Sequence, residues 1–175
     1  MHRGVLTVAV IIVILGGLLW MNGLIYTKRG GSDYKNATYL IDGKPVTLVD
    51  GVSEVETAPG SASKTVTKYF GNEAKGDLNG DGTPDLAFLL TQEGGGSGTF
   101  YYVVAALQSA DGTYTGTNGV LLGDRIAPQT TEYRDGEVIV NYAERAVGEP
   151  MSTAPSIGVS KYLKVTGDTL VEVVQ

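Results

Sequence analysis

The chain has 175 residues, with 13 Lys and Arg against 19 Asp and Glu, one histidine and no cysteine. That length suits one domain of ordinary size with an appendage. The lack of cysteine excludes disulfides, thiolate nucleophiles and Cys-type zinc sites. The net charge of −6 repels phosphate backbones and excludes nucleic acid as a partner class.

The first segment differs from the rest. Val5 to Tyr26 is an almost unbroken apolar run of 22 residues, interrupted only by Thr7, Asn22 and a few glycines. About 20 apolar residues span a bilayer, so residues 1–26 are expected to form a single N-terminal transmembrane helix. Trp20 and Tyr26 lie toward one end of it, where aromatic rings favour the headgroup level. A cleaved signal would have a shorter apolar core and a small-x-small site; none follows Tyr26. Lipoprotein processing would need a cysteine. Arg3 precedes the run while Lys28 and Arg29 follow it, so the distribution of positive charge does not set the orientation. Residues 27–36, TKRGGSDYKN, are polar and Gly-containing and read as a flexible tether.

Residues 37–175 carry nine basic against eighteen acidic residues, a net charge of −9. Their dominant signal is strand: valine, threonine and tyrosine are abundant, and Asp-Gly turn pairs recur at 42–43, 50–51, 111–112 and 135–136. Asp-Gly accepts the positive φ angles of a two-residue hairpin turn, which predicts hairpins around 42–43 and 135–136. The expected strands are 38–42, 45–49, 52–57, 64–70, 86–92, 99–107, 113–121, 129–134, 137–144, 158–165 and 169–174, with room for a short helix inside 61–75. AFLLTQ and FYYVVAAL are apolar on both faces and are expected to be central, fully covered strands. Many short strands with frequent turns predict an all-β domain, a sandwich or open barrel of antiparallel strands.

Residues 77–85 read DLNGDGTPD. Asp77, Asn79, Asp81 and Asp85 place oxygen-bearing side chains at alternate positions, with Gly82 for the sharp turn. Such spacing wraps backbone around Ca²⁺, which takes 6–8 oxygen ligands at about 2.3–2.6 Å. An EF-hand loop would carry Glu at its twelfth position and helices on both sides; here position twelve is Phe88 and the residues beyond it look like strand. The string GDLNGDGTPDLAFLL, Gly76 to Leu90, resembles the calcium loops of FG-GAP and VCBS-type repeats, D-x-[DN]-x-[DN]-G-x-x-D. That resemblance implies ligation by the side chains of Asp77, Asn79, Asp81 and Asp85 and by the Thr83 carbonyl. Those repeats come in arrays that build propellers; this chain has one copy, so the propeller does not carry over. Glu73 is a candidate additional ligand. Loops lacking a strong twelfth ligand suit the high calcium outside a cell, which places the N-terminus in the cytoplasm and residues 37–175 outside, in the periplasm or at the cell surface.

Other motifs carry less. Ser61-Ala62-Ser63-Lys64 spells S-x-x-K but lacks the S-D-N and K-T-G partners of that chemistry, and reads as a turn into a strand. Glu93–Thr99, EGGGSGT, lacks the Lys-Ser/Thr of a phosphate loop and reads as a hairpin loop. The sole histidine is His2, so residues 37–175 hold no Ser-His-Asp triad, His-ligated zinc or histidine base. A glycosidase pair would have to come from Glu132, Glu137, Glu144 and Glu149, which alternate with apolar residues as a solvated face does. The sequence therefore predicts no catalytic residues and a non-catalytic role: a membrane-anchored, calcium-binding β domain contacting an envelope protein or a glycan. The competing classes are a carboxylate-dependent hydrolase of wall glycans and a structural subunit of an envelope assembly. For a binding module, the loops EGGGSGT and Val147–Ile157 are the expected ligand-contacting segments.

Overall fold

A computed structural model describes residues 30, 31 and 33–175. The anchor expected over residues 5–26 lies outside the described residues. Among the described residues, no helix is long and apolar enough to cross a membrane.

In chain order the strands are β1 (Gly30–Gly31), β2 (Thr38–Ile41), β3 (Lys44–Thr47), β4 (Val52–Glu56), β5 (Lys64–Gly76), β6 (Asp85–Glu93) and β7 (Phe100–Gln108). They continue with β8 (Tyr114–Gly116), β9 (Val120–Asp124), β10 (Ala127–Arg134), β11 (Glu137–Glu144), β12 (Ile157–Thr166) and β13 (Thr169–Val173). The fold is all-β, as expected. A seven-stranded sheet runs β1-β8-β7-β6-β5-β4 with β9 also on β7; β10-β11-β12-β13 form a second sheet, and β2-β3 a hairpin of their own. The paired strands are antiparallel.

The large sheet is the middle layer, and β6 shows why. Successive side chains of a strand point to opposite faces. Ala87 and Leu89 enter one core with Val103 and Ala105 of β7, facing Val138, Val140 and Leu163 of the four-stranded sheet. Phe88 and Leu90 enter a second core with Tyr102 and Val104, facing Tyr39, Ile41 and Leu48 of the hairpin layer. The apolar runs of β6 and β7 are thus covered on both sides. Phe88 is fully buried, with the rings of Tyr34, Tyr39 and Tyr69 at centroid distances of 5.6, 5.6 and 5.4 Å.

The turns follow their chemistry. Both residues of Asp42-Gly43, Asp50-Gly51 and Asp135-Gly136 have positive φ, as a type I′ turn requires. Asp111-Gly112 differs: only Gly112 is positive, and the Asp111 carboxylate accepts from the Thr113 N–H at 3.0 Å.

Three segments depart from expectation. β5 runs through Gly76, and no helix forms inside 61–75, because the ladder to β6 continues past register shifts between Tyr69 and Ala74. The strand expected over 113–121 is two, since the regular ladder to β7 is interrupted between Gly116 and Val120, where the hairpin docks: the Leu40 N–H donates to the Thr117 carbonyl at 3.1 Å and the Gly119 N–H to the Leu40 carbonyl at 2.7 Å, while Thr117 keeps its N–H on the Ala105 carbonyl of β7. A Cβ on the adjoining Gly116 would lie 2.3 Å from the Thr38 carbonyl oxygen. Finally, described residues of the stretch 27–36 are stitched into the domain. Gly30 and Gly31 pair with Thr115 and Tyr114. Tyr34–Asn36 form a 3-10 turn capped by the Asp33 side chain, and the Tyr34 carbonyl accepts the Tyr39 hydroxyl at 2.6 Å. The aromatic contacts of Tyr34 are the reason it does not stay in solvent.

Candidate functional site

The loop DLNGDGTPD closes the β5–β6 hairpin, with Gly76 paired to Asp85 across its base. Its side chains fold inward onto its own backbone. Asp77 Oδ1 accepts the N–H groups of Gly80 and Asp81 at 2.8 and 3.0 Å, and its Oδ2 that of Gly82 at 2.9 Å. Asp81 Oδ1 accepts the Thr83 N–H at 2.7 Å, and Asn79 donates to Asp81 Oδ2 at 3.0 Å. Gly82 sits at φ +85, the left-handed conformation glycine adopts without cost.

Asp85 is different in kind. It is fully buried, with Oδ2 accepting the Leu78 N–H at 2.9 Å and Oδ1 the Gln108 N–H at 2.8 Å. One carboxylate therefore ties the loop, the start of β6 and the end of β7. Burial pushes its pKa above the ordinary carboxylate value, the amides of Gln108 and Leu78 oppose this, and the Asp81 charge adds to the rise. Asp81 itself is held below the usual value by the Thr83 N–H and the Asn79 side chain.

A residue from the other sheet completes the loop. Tyr133 of β10 donates its hydroxyl to the Asp77 carbonyl at 2.7 Å. Its ring packs directly against Gly76, where a Cβ would fall 2.1 Å from Tyr133 Cδ1. Sequence reasoning missed Tyr133. Only its place two residues before the Asp135-Gly136 turn was legible, and nothing in it announces a partner fifty-six residues upstream.

The donor set is chemically suited to a hard cation: three carboxylates, the Asn79 amide oxygen and the Thr83 carbonyl are all oxygen. None of the ion pairs among the described residues involves Asp77, Asp81 or Asp85. The carboxylates are nonetheless turned to loop N–H groups rather than to one point. Among the described residues, no three His, Cys, Asp or Glu side chains are grouped to hold a metal. Glu73 is directed elsewhere: its Oε1 accepts the hydroxyls of Tyr34 at 2.9 Å and Tyr69 at 2.5 Å.

The remaining candidates are dispersed. Glu137 and Glu144 stand at opposite ends of β11, about 23 Å apart at strand rise, and Glu137 pairs with Lys164 at 3.3 Å. Glu149 accepts the Ala146 N–H in the following turn, and Glu132 accepts the Thr130 hydroxyl. Lys64 of the S-x-x-K string is paired to Glu54 at 2.9 Å. The two loops expected to contact a ligand are connected indirectly. Asp124 accepts the Thr99 N–H at 2.9 Å and chelates Arg125, and Arg145 bridges from the Arg125 carbonyl to the Thr153 carbonyl. Segments 93–99 and 147–157 are thus linked through Asp124, Arg125 and Arg145.

No protein-family model, curated protein or solved structure matches this chain.

Proposed function

We propose that the chain is a membrane-anchored, extracytoplasmic β module that takes one Ca²⁺ in loop 77–85 and acts by binding rather than by catalysis. The observation that carries the calcium reading is Asp85: a fully buried carboxylate beside Asp81, with no cationic side chain among the described residues paired to it. A divalent cation would offset both the burial of that charge and the mutual repulsion. In this reading Asp77, Asn79, Asp81 and Asp85 bind through side chains and Thr83 through its carbonyl. Asp77 and Asp81 give up loop N–H bonds to do so, which keeps the site weak and suited to extracytoplasmic calcium.

The role follows from position. The loop joins the long strand β5 to the central strand β6, so a bound ion fixes the middle layer. Residues 5–26 serve as the anchor, and the domain outside contacts an envelope protein or a glycan.

Calorimetric titration of the full chain, in detergent suited to its apolar N-terminal segment, tests the site. The expected result is one Ca²⁺ per chain, with no heat of binding in Asp81→Ala. Unaltered binding in that variant sinks the assignment.

A further inference from the structure

The hairpin β2–β3 does not cover the whole face of the large sheet on which it lies. Beside β4 and the first half of β5 it leaves a cleft of about 210 Å³. The ladder register sets the floor. Ser53, Thr67, Gln92 and Phe100 are successive cross-strand partners on β4, β5, β6 and β7, so their side chains line one row on one face. Gln92 donates to the Thr67 hydroxyl at 3.0 Å, and Thr67 is 2 % exposed. That bond fixes the amide and, among the described residues, leaves the Gln92 carbonyl oxygen free to accept. Thr65 adds a further hydroxyl to the floor, while Ile41, Pro45 and Val46 make an apolar wall. Phe100, 40 % exposed, ends the row on the same face just beyond the cleft, with one edge of its ring against Gly98.

This lining selects against several occupants. A floor of hydroxyls and an amide would be left without partners under an apolar ligand. The charges at the cleft are Asp42, Lys44 and Glu56, a net negative set that disfavours an anion. An added peptide strand needs a row of open backbone groups. At β4 that row is short, because Val49 and Val52 bond each other at its start. What remains is a neutral molecule with hydroxyls on its edges and an apolar C–H face.

We propose that the cleft is a subsite for one neutral sugar unit of a glycan, hydrogen-bonded by Ser53 and Gln92, with the next unit along the row stacked on Phe100. It supplies the ligand class that the binding-module reading leaves open, and it rests on that reading but not on the calcium loop. Gln92 lies seven residues along β6 from Asp85, about 23 Å at strand rise.

The test is an amide-resolved NMR titration of the full chain, in a detergent without a sugar headgroup. The probes are two neutral oligosaccharides, N-acetylchitotriose and cellotriose, each with calcium and with chelator. Saturable shifts from at least one sugar are expected at Thr67, Gln92, Phe100, residues 41–44 and Val46. They should weaken about tenfold or more in Gln92→Ala and in Phe100→Ala. They should be unchanged in Phe70→Ala, an exposed ring that packs on Tyr101 instead. A folded protein blind to both sugars in calcium overturns the proposal, as do shifts that survive both cleft variants. Failure of the calcium reading shows separately, as a spectrum indifferent to chelator.

Discussion

Burying a carboxylate is costly unless its oxygens are satisfied, and Asp85 is satisfied by amides from two different elements. Tyr133 does the corresponding work from the opposite sheet, and it can do so only because residue 76 has no side chain. Gly76→Ala is therefore expected to destabilise by about 1–3 kcal/mol through overpacking. Chemical denaturation should show that loss largely recovered when Tyr133→Ala is added; full additivity would contradict the contact. A second residue-scale prediction concerns alkaline pH. Burial and the Glu73 carboxylate push the Tyr34 hydroxyl up to about 12, and burial and Asp42 push Tyr102 up to about 12. Unfolded tyrosine ionises near pH 10, so the folded state holds these protons more tightly. That stabilisation is full below about pH 10 and is lost as pH rises toward 12. Unfolding midpoints measured across that window should fall, and the double variant Tyr34→Phe with Tyr102→Phe should flatten the fall. An equally steep fall in the variant would place the effect elsewhere.

At the level of elements, periodicity and turn chemistry carried far. The strands around Asp42-Gly43 and Asp135-Gly136 lie where the sequence placed them, because an Asp-Gly pair encodes its own local geometry. AFLLTQ and FYYVVAAL were legible as central strands because a run apolar on both faces needs cover on both faces. The split between β8 and β9 was missed although Gly116 and Asn118-Gly119 mark it locally, because the hairpin that docks there and bonds to Thr117 and Gly119 is a long-range partner. The continuation of β5 past Gly71, where a register shift lets the ladder resume, was not legible. The same distinction holds for the candidate site. Its alternate oxygens were visible, whereas the amides of Leu78 and Gln108, the Tyr133 clamp and the diversion of Glu73 to two tyrosines are long-range facts. The two-sided burial of β6 gives a direct prediction. Phe88→Ala should cost about 3–5 kcal/mol in equilibrium unfolding, and a loss under about 1 kcal/mol would mean its aromatic shell is not packed as described.

Across the whole molecule, the expected organisation was an anchor, a tether and a domain. Here the domain begins earlier, because Gly30–Gly31 and the turn at Tyr34–Asn36 belong to it. Residues 37–175 then present a net charge of −9 and three loop carboxylates without cationic partners among the described residues, an excess that a bound divalent ion would partly neutralise. The molecule-wide consequence is linkage. A ligand that binds only the folded state stabilises it by about 2.7 kcal/mol at a hundredfold excess over its dissociation constant. The measurement that addresses this most directly is thermal unfolding of the full chain in excess Ca²⁺ and in chelator, beside Asp81→Ala. For a chain of this size that linkage raises the midpoint by about 5–10 °C, and the variant should lose the response. Equal midpoints in calcium and in chelator would make DLNGDGTPD an acidic turn closed by its own amides, and would contradict the calcium account.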